Sequence, residues 1–444
     1  MTGMSPPNHP PDAAWQVNVL ADSAQKLADQ GELVEAERIY RALLQSAPYH
    51  VRALNFLAVR ALERDELDES LRLLEQALRA DPRRPILYQN VGLVHKARGE
   101  LELALAALDR AIALRPDLRT ALLHKGSVLE ALGRTEEAIT LYWQGWQQFP
   151  NAETLANDVT APESLRHLFT HAAELIRSAQ MELITHALTP LRERQGSEFL
   201  GRVEACAETY VGLKQPAYAD PLQRPSFLHL PGIPPRPFFE RKEFPWIAEL
   251  EAATAAIRTE LGQVLSAGDG LAPYVQVEKG TDPQQWRELA NSLKWSSFHL
   301  YKGGMRSDGN CARCPATLES VMKLPLPWIP GHAPEVLFSI LRPGTHIPSH
   351  HGLGNYKLVV HLPLIVPDNC TLRVGTETRG WREGECLIFD DSFQHEAWNR
   401  SDSVRAVLIT EIWNPLVPEN ERQGIMALVD AISAFRQRHV NPAN

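Results

Sequence analysis

Two histidines, His350 and His395, stand 45 residues apart in the C-terminal half of the chain. The first lies in THIPSHHG, read as a short strand and turn, and the second follows an apolar strand and an Asp-Asp turn in LIFDDSFQHEAW. Neutral imidazoles held on a rigid β framework are good ligands for Fe(II), provided the site keeps open positions for a co-substrate and oxygen. Arg405, ten residues beyond His395 on the apolar run SVRAVLITEIW, offers a planar fork that can clamp a dicarboxylate. Ser339, on the run before His350, can donate to the same carboxylate. A 2-His-1-carboxylate centre demands Asp or Glu two residues after its first histidine, and here that position is Gly352. Taken alone, the glycine counts against such a centre. His346 and His351 flank the favoured ligand, His351 lining the entrance and His346 in a packing role. Asp390 and Asp391 are the nearby carboxylates that could stand in for the one missing at Gly352, but the favoured reading is a turn leading into His395, because Asp favours turns.

These residues need a rigid scaffold, and the pattern around them supplies one. From about residue 293 onward the chain runs in short segments of β character, such as LKWSSFHLYKG, PEVLFSIL, YKLVVHLPLIV and VRAVLITEIW. Gly, Pro, Asn and Asp turns separate them, which predicts an antiparallel sandwich or small barrel. An amphipathic helix is expected before it, at about 246–262, and another after it, at about 418–438.

The N-terminal half has a different period. Pro48, Pro82, Pro116 and Pro150 recur every 34 residues. Gly31, Asp65, Gly99 and Gly133 keep the same step, as do Ala36, Ser70, Ala104 and Ala138, and Tyr40, Leu74, Leu108 and Tyr142. A fourth, partial column is Ala58, Gly92 and Gly126. Small residues let paired helices approach closely, the glycine-type column ends the first helix, and proline cannot continue the second. This is the tetratricopeptide pattern, with four repeats over 17–152 after a disordered N-terminus at 1–16. Such repeats stack into a solenoid with a concave groove, which Arg52, Asn55, Gln89 and Lys96 could line. Residues 153–215 stay helix-like without the register and are expected to cap or bridge. Eight prolines between 216 and 245 predict an extended connector, leaving 246–444 as the β-rich domain.

The segments W295-SSFHLYKGG, F338-SILRPGTHIPSHHGLGN, HLPLIVP and G384-ECLIFDDSFQHEAW, together with Arg405, resemble the aspartyl/asparaginyl β-hydroxylase family of Fe(II)/2-oxoglutarate oxygenases. The resemblance covers roughly 225–420, and the animal hydroxylase also carries tetratricopeptide-type repeats ahead of its oxygenase domain. It implies a double-stranded β-helix of jelly-roll type after the helical solenoid, with Fe(II), 2-oxoglutarate and O2 as reaction partners. Members bind iron through two histidines, water replacing the missing carboxylate, so Gly352 fits rather than opposes the reading. The resemblance implies His350 and His395 as metal ligands and catalytic centre. It implies Ser339 and Arg405 on the distal carboxylate of 2-oxoglutarate, and His361 on the carboxylate nearer the metal. Lys357 stands where an arginine faces the acidic substrate side chain, and Val359 where the family often has a further arginine. Trp295 is the other substrate-binding candidate.

Composition sets the outer limits. The chain has 444 residues and a formal net charge of -9, which argues against a polyanion-coating protein. No stretch approaches the apolar length of a membrane span, and the N-terminus is not patterned as a signal peptide. Five cysteines, an odd and small number, fit a reducing cytoplasm. Cys311 and Cys314 form a CxxC without the second close pair that a zinc site needs, and Pro315 speaks against a helix N-terminus there. The implied activity is β-hydroxylation of an aspartyl or asparaginyl residue in a peptide or protein brought by the repeats. Two rivals are a hydroxylase of a small molecule or lipid acyl chain, and a non-catalytic repeat scaffold with a vestigial barrel.

Overall fold

The computed structural model describes residues 13–147, 163–196, 199–278 and 282–440. The chain forms two compact units, 1–179 with 436–444, and 180–435.

Over residues 13–147 of the first unit, helices alternate with short turns: α1 Ala13–Asp29, α2 Leu33–Ser46, α3 Val51–Glu63, α4 Leu67–Ala80, α5 Pro85–Ala97, α6 Leu101–Leu114, α7 Arg119–Ala131 and α8 Thr135–Gln147. The repeat columns have direct structural causes. Gly31, Asp65, Gly99 and Gly133 all adopt positive φ, between 62° and 82°, where each first helix reverses into its partner. Ala36, Ser70, Ala104 and Ala138 are fully buried, as are Tyr40, Leu74, Leu108 and Tyr142. Tyr142 seals the last pair: a Cβ on Gly126 would stand 2.6 Å from its ring, so only glycine admits that ring. The stretch expected to be disordered lies outside the described residues as far as 12, and its end forms the start of α1. Pro150 and residues 153–162 likewise lie outside them.

The second unit holds two antiparallel sheets. The larger runs β1 (Phe238–Phe239), β10 (Leu387–Phe389), β7 (Lys357–Ile365), β12 (Arg405–Trp413), β5 (Val336–Leu341), β3 (Trp295–Lys302) and β2 (Ala272–Pro273), with β4 (Met305–Arg306) beside β3. The smaller runs β6 (Thr345–His350), β11 (His395–Asn399), β8 (Cys370–Val374) and β9 (Glu377–Gly380). Side-chain alternation gives the larger sheet two different faces. Leu358, Val360, Leu362, Ala406, Leu408 and Ile412 pack outward in a core with the helices Ile247–Ala252, Thr254–Ala267 and Pro315–Val321. Val359 and Leu341 instead meet Ile347, Leu372 and Ala397 of the smaller sheet. The two sheets thus face each other, as the expected double-stranded β-helix requires.

The proline-rich stretch read as a connector is built into this unit. Leu228, Leu230 and Ile233 are buried with Tyr356, Trp413 and the helix Gly201–Tyr210. Its backbone amides donate to the loops that carry the two histidines: Arg224 N to Ser392 O at 2.9 Å, and Ser226 N to Gly352 O at 2.9 Å. Proline density predicts extended backbone but says nothing about what that backbone binds.

Candidate active site

A cavity of about 520 Å³ opens among these strands. His350 ends β6 and His395 begins β11, and the two are direct partners in that ladder, beside a bulge between His395 and Ala397. Pairing of neighbouring strands is what joins residues 45 apart in the chain. The rings lie with centroids 4.0 Å apart, tilted by 52°. His350 Nδ1 lies 2.8 Å from Pro348 O, and His395 Nδ1 lies 2.9 Å from Phe393 O. A carbonyl oxygen only accepts, so Nδ1 carries the proton in both rings and Nε2 keeps its lone pair. Burial, aided by the neighbouring His395 ring, pushes His350 down to about 3, and burial pushes His395 down to about 4. Both imidazoles are therefore neutral at pH 7, the form that ligates a metal.

His361, on the inner face of β7, has the opposite tautomer. Trp381 Nε1 donates to His361 Nδ1 at 3.3 Å, so the His361 proton sits on Nε2 and can be donated. Burial and the Arg405 guanidinium hold this imidazole well below its ordinary pKa, so it too is neutral. Arg405, at the start of β12, is 1% exposed. Its Nη1 reaches Ser339 O and Oγ only at 3.5 Å, and its Nε has no hydrogen-bond partner. No carboxylate among the described residues forms an ion pair with it, and burial pushes its pKa down to about 10. A buried guanidinium without a counter-charge is costly, and an anion of matching shape relieves that cost. Ser339 Oγ accepts from Trp295 Nε1 at 3.0 Å, which leaves its own hydrogen to donate. Trp295 lines the cavity, stacked on Tyr274 at 3.9 Å between centroids.

The glycine at the missing carboxylate position is explained by its neighbour. A Cβ on Gly352 would stand 1.9 Å from Asp391 Oδ2 and 2.5 Å from Oδ1. The Asp391 carboxylate thus fills the space beside Gly352, and its buried Oδ1 has no hydrogen-bond partner. Among the described residues no group of three or more His, Cys, Asp or Glu side chains is arranged to hold a metal ion. The donor set is two neutral histidines with a carboxylate close by, which suits a cation that keeps open coordination positions. By the same chemistry, Arg405, Ser339 and the His361 Nε2–H suit a dicarboxylate.

Lys357, expected to face the substrate, lies in the cavity wall but is 1% exposed. Its ammonium is paired with Glu411 and lies 3.7 Å from Asp391 Oδ2. Val359 is buried beside it, on the inner face of the same strand. His351 lines the cavity, whereas His346 is bonded to Glu396 at 2.9 Å and stacked on Trp398. Glu411 and Trp381 carry no signal in the sequence, and Asp391 reads there as part of a turn. A signal existed for Asp391, namely a spare carboxylate four residues before the second histidine.

Cys311 and Cys314 are free and buried. Contrary to expectation a helix does begin there, because Pro315 takes its first position, where the missing N–H costs nothing. Glu260 accepts from Ala316 N at 2.7 Å and Thr317 N at 2.9 Å. Burial, with that carboxylate, pushes the Cys314 thiol up to about 12.

Fold and site together define a repeat protein joined to a double-stranded β-helix whose cavity holds two paired histidines. Residues 251–415 match the family described as Aspartyl/Asparaginyl beta-hydroxylase, and residues 22–85 and 92–153 match Tetratricopeptide repeat. Residues 251–415 thus form an aspartyl/asparaginyl β-hydroxylase domain, with tetratricopeptide repeats before it. The ornithine lipid ester-linked acyl 2-hydroxylase of Rhizobium tropici is 38% identical over 183 residues, 40% of this chain and 61% of that protein. The aspartyl/asparaginyl beta-hydroxylase of Homo sapiens is 31% identical over 233 residues, 52% of this chain and 29% of that protein. Aspartate beta-hydroxylase domain-containing protein 2 of Xenopus tropicalis is 31% identical over 208 residues, 46% of this chain and 54% of that protein. The chain therefore spans between 29% and 61% of the length of these relatives. Among the described residues no helix is long and apolar enough to cross a membrane.

Proposed function

We propose that this protein is an Fe(II)- and 2-oxoglutarate-dependent dioxygenase that hydroxylates the β-carbon of an aspartyl or asparaginyl residue. The peptide or protein substrate is recruited by the repeat groove, and the reaction takes place in the cytoplasm. The observation that carries the reading is the complementary set of tautomers in one cavity. His350 and His395 keep their Nε2 lone pairs, while His361 has a proton to give beside a buried, uncompensated Arg405.

Bound iron with 2-oxoglutarate and O2 supplies oxidative decarboxylation to succinate and CO2, with one oxygen atom inserted into a C–H bond. The chain's own residues do the rest. His350 and His395 hold the metal. Arg405 and Ser339 bind and orient the distal carboxylate of the co-substrate, and His361 donates from Nε2 to the carboxylate nearer the metal. Trp381 fixes the His361 tautomer, and Trp295 directs the Ser339 hydroxyl. Apolar side chains such as Val359, Leu372 and Ile409 keep water from the inner end of the cavity.

A second reading, hydroxylation of a lipid acyl chain or small molecule, is favoured by the 38% identity to the Rhizobium tropici lipid hydroxylase. The full chain with Fe(II), 2-oxoglutarate and O2 is to be assayed for succinate against peptides bearing Asp or Asn and against ornithine-lipid micelles. Coupled succinate and a hydroxylated peptide are expected. Coupling to the lipid alone would transfer the assignment to the second reading.

A further inference from the structure

Lys357 is a buried cation between two carboxylates. It occupies the first position of β7, and its side chain shares the inner face with Val359 and His361. Glu411, one strand over on β12, pairs with its ammonium, and Glu411 is itself fixed because its Oε2 accepts from Glu335 N at 2.9 Å. On the other side lies Asp391, whose Oδ2 is 3.7 Å from Nζ and whose carboxylate is lodged against Gly352. Of the three groups only Asp391 has a buried oxygen without a hydrogen-bond partner, and it lines the cavity with both histidines.

From this geometry we infer that Lys357 is a positioning residue of the metal centre. Together with Glu411 it holds the Asp391 carboxylate in the space that Gly352 leaves, beside His350 and His395, and it does not contact the substrate. The inference rests on the reading of those histidines as metal ligands.

Two carboxylates this deeply buried cannot both stay ionised without a cation between them. Burial alone would drive Lys357 towards its neutral amine, but Asp391 and Glu411 outweigh it and hold the ammonium pKa above its ordinary value. The ammonium is 1% exposed and already balanced by two carboxylates, so a substrate carboxylate brought beside it would leave buried negative charge in excess. Asp391 in turn has Oδ2 beside the ammonium at 3.7 Å, while its buried Oδ1 stays without a hydrogen-bond partner in the cavity that both histidines line. Groups that orient a metal's surroundings in this way change metal affinity about 10–100-fold when removed.

The test uses the full-length chain without oxygen and titrates Mn(II), read by electron paramagnetic resonance, and Co(II), read by its visible spectrum. Lys357→Met is expected to weaken Mn(II) binding by about 10-fold or more and to alter the Co(II) spectrum, and Lys357→Arg to restore most of the affinity. Asp391→Asn should show the same loss, with no further loss when combined with Lys357→Met. If Lys357→Met does not fold, Lys357→Met/Glu411→Gln, which leaves no unpaired glutamate, carries the same expectation. Wild-type affinity and spectrum in a folded Lys357 variant would overturn the inference. Failure of the wild-type chain itself to bind either metal would instead overturn the reading of the two histidines.

Discussion

Asp391 of one loop and Gly352 of another share a single side-chain site: a Cβ on the glycine would stand 1.9 Å from a carboxylate oxygen of the aspartate. The carboxylate lacking after His350 is thus replaced in space by one from a distant part of the chain. Gly352→Asp is therefore expected to lose stability rather than gain a ligand, by about 1–3 kcal/mol as an overpacked site. Thermal unfolding and Mn(II) titration check this. The double variant Gly352→Asp/Asp391→Gly should recover both properties relative to Gly352→Asp alone, and no recovery would mean that the two residues do not compete for one space.

Arg405 is predicted to be a stability cost that its ligand removes. Arg405→Met should raise the 2-oxoglutarate requirement by about 10–100-fold, the worth of one or two charge-assisted hydrogen bonds. The ligand-free variant should melt at a higher temperature than ligand-free wild type, because a buried, unpaired charge is gone. Added 2-oxoglutarate should raise the wild-type melting temperature strongly and the variant's little. Equal shifts in both proteins would place the co-substrate elsewhere.

In the repeat unit, burial and then the neighbouring Lys96 ammonium push His124 down to about 4. The unfolded chain binds a proton there near pH 6.5 and the folded chain does not, so stability is full above that pH and falls as pH drops towards 4. The loss should reach at most about 1.4 kcal/mol per pH unit within that window. Urea unfolding of wild type and His124→Gln from pH 7 to 4.5 checks the sign. A parallel pair of curves would show that His124 does not titrate as described.

All five cysteines are buried, and Cys314 has its thiol pushed up to about 12 by burial and the nearby Glu260. The native protein should resist a thiol reagent until it is unfolded, when five equivalents react. Prompt labelling of Cys311 or Cys314 would restore a redox role for that pair.

How much of this was legible beforehand depended on the distance between partners. The repeat register was visible because each column recurs within one local unit, and its glycine column reports a backbone reversal that Asp65 also adopts. Ser339, His361 and Arg405 were visible as a family resemblance in segments that lie on adjacent strands. The burial of Lys357 was not legible because its partners lie at positions 411 and 391, and no local pattern discloses a buried ion pair. The same reason hid Asp391, whose turn propensity is local while its fit against Gly352 is not. The proline-rich segment was read by composition as a joint, yet it is fixed by backbone hydrogen bonds to loops more than 120 residues away.

In the proposed centre His350 and His395 hold Fe(II) while Arg405, Ser339 and His361 hold 2-oxoglutarate in one cavity. Its most direct test is an anaerobic titration of the full chain with Fe(II) and 2-oxoglutarate, followed by admission of oxygen. A metal-to-ligand charge-transfer band that needs both components, disappears in His350→Ala, and gives way to succinate on oxygenation is the result predicted. A folded wild-type protein that develops neither the band nor succinate would contradict the account.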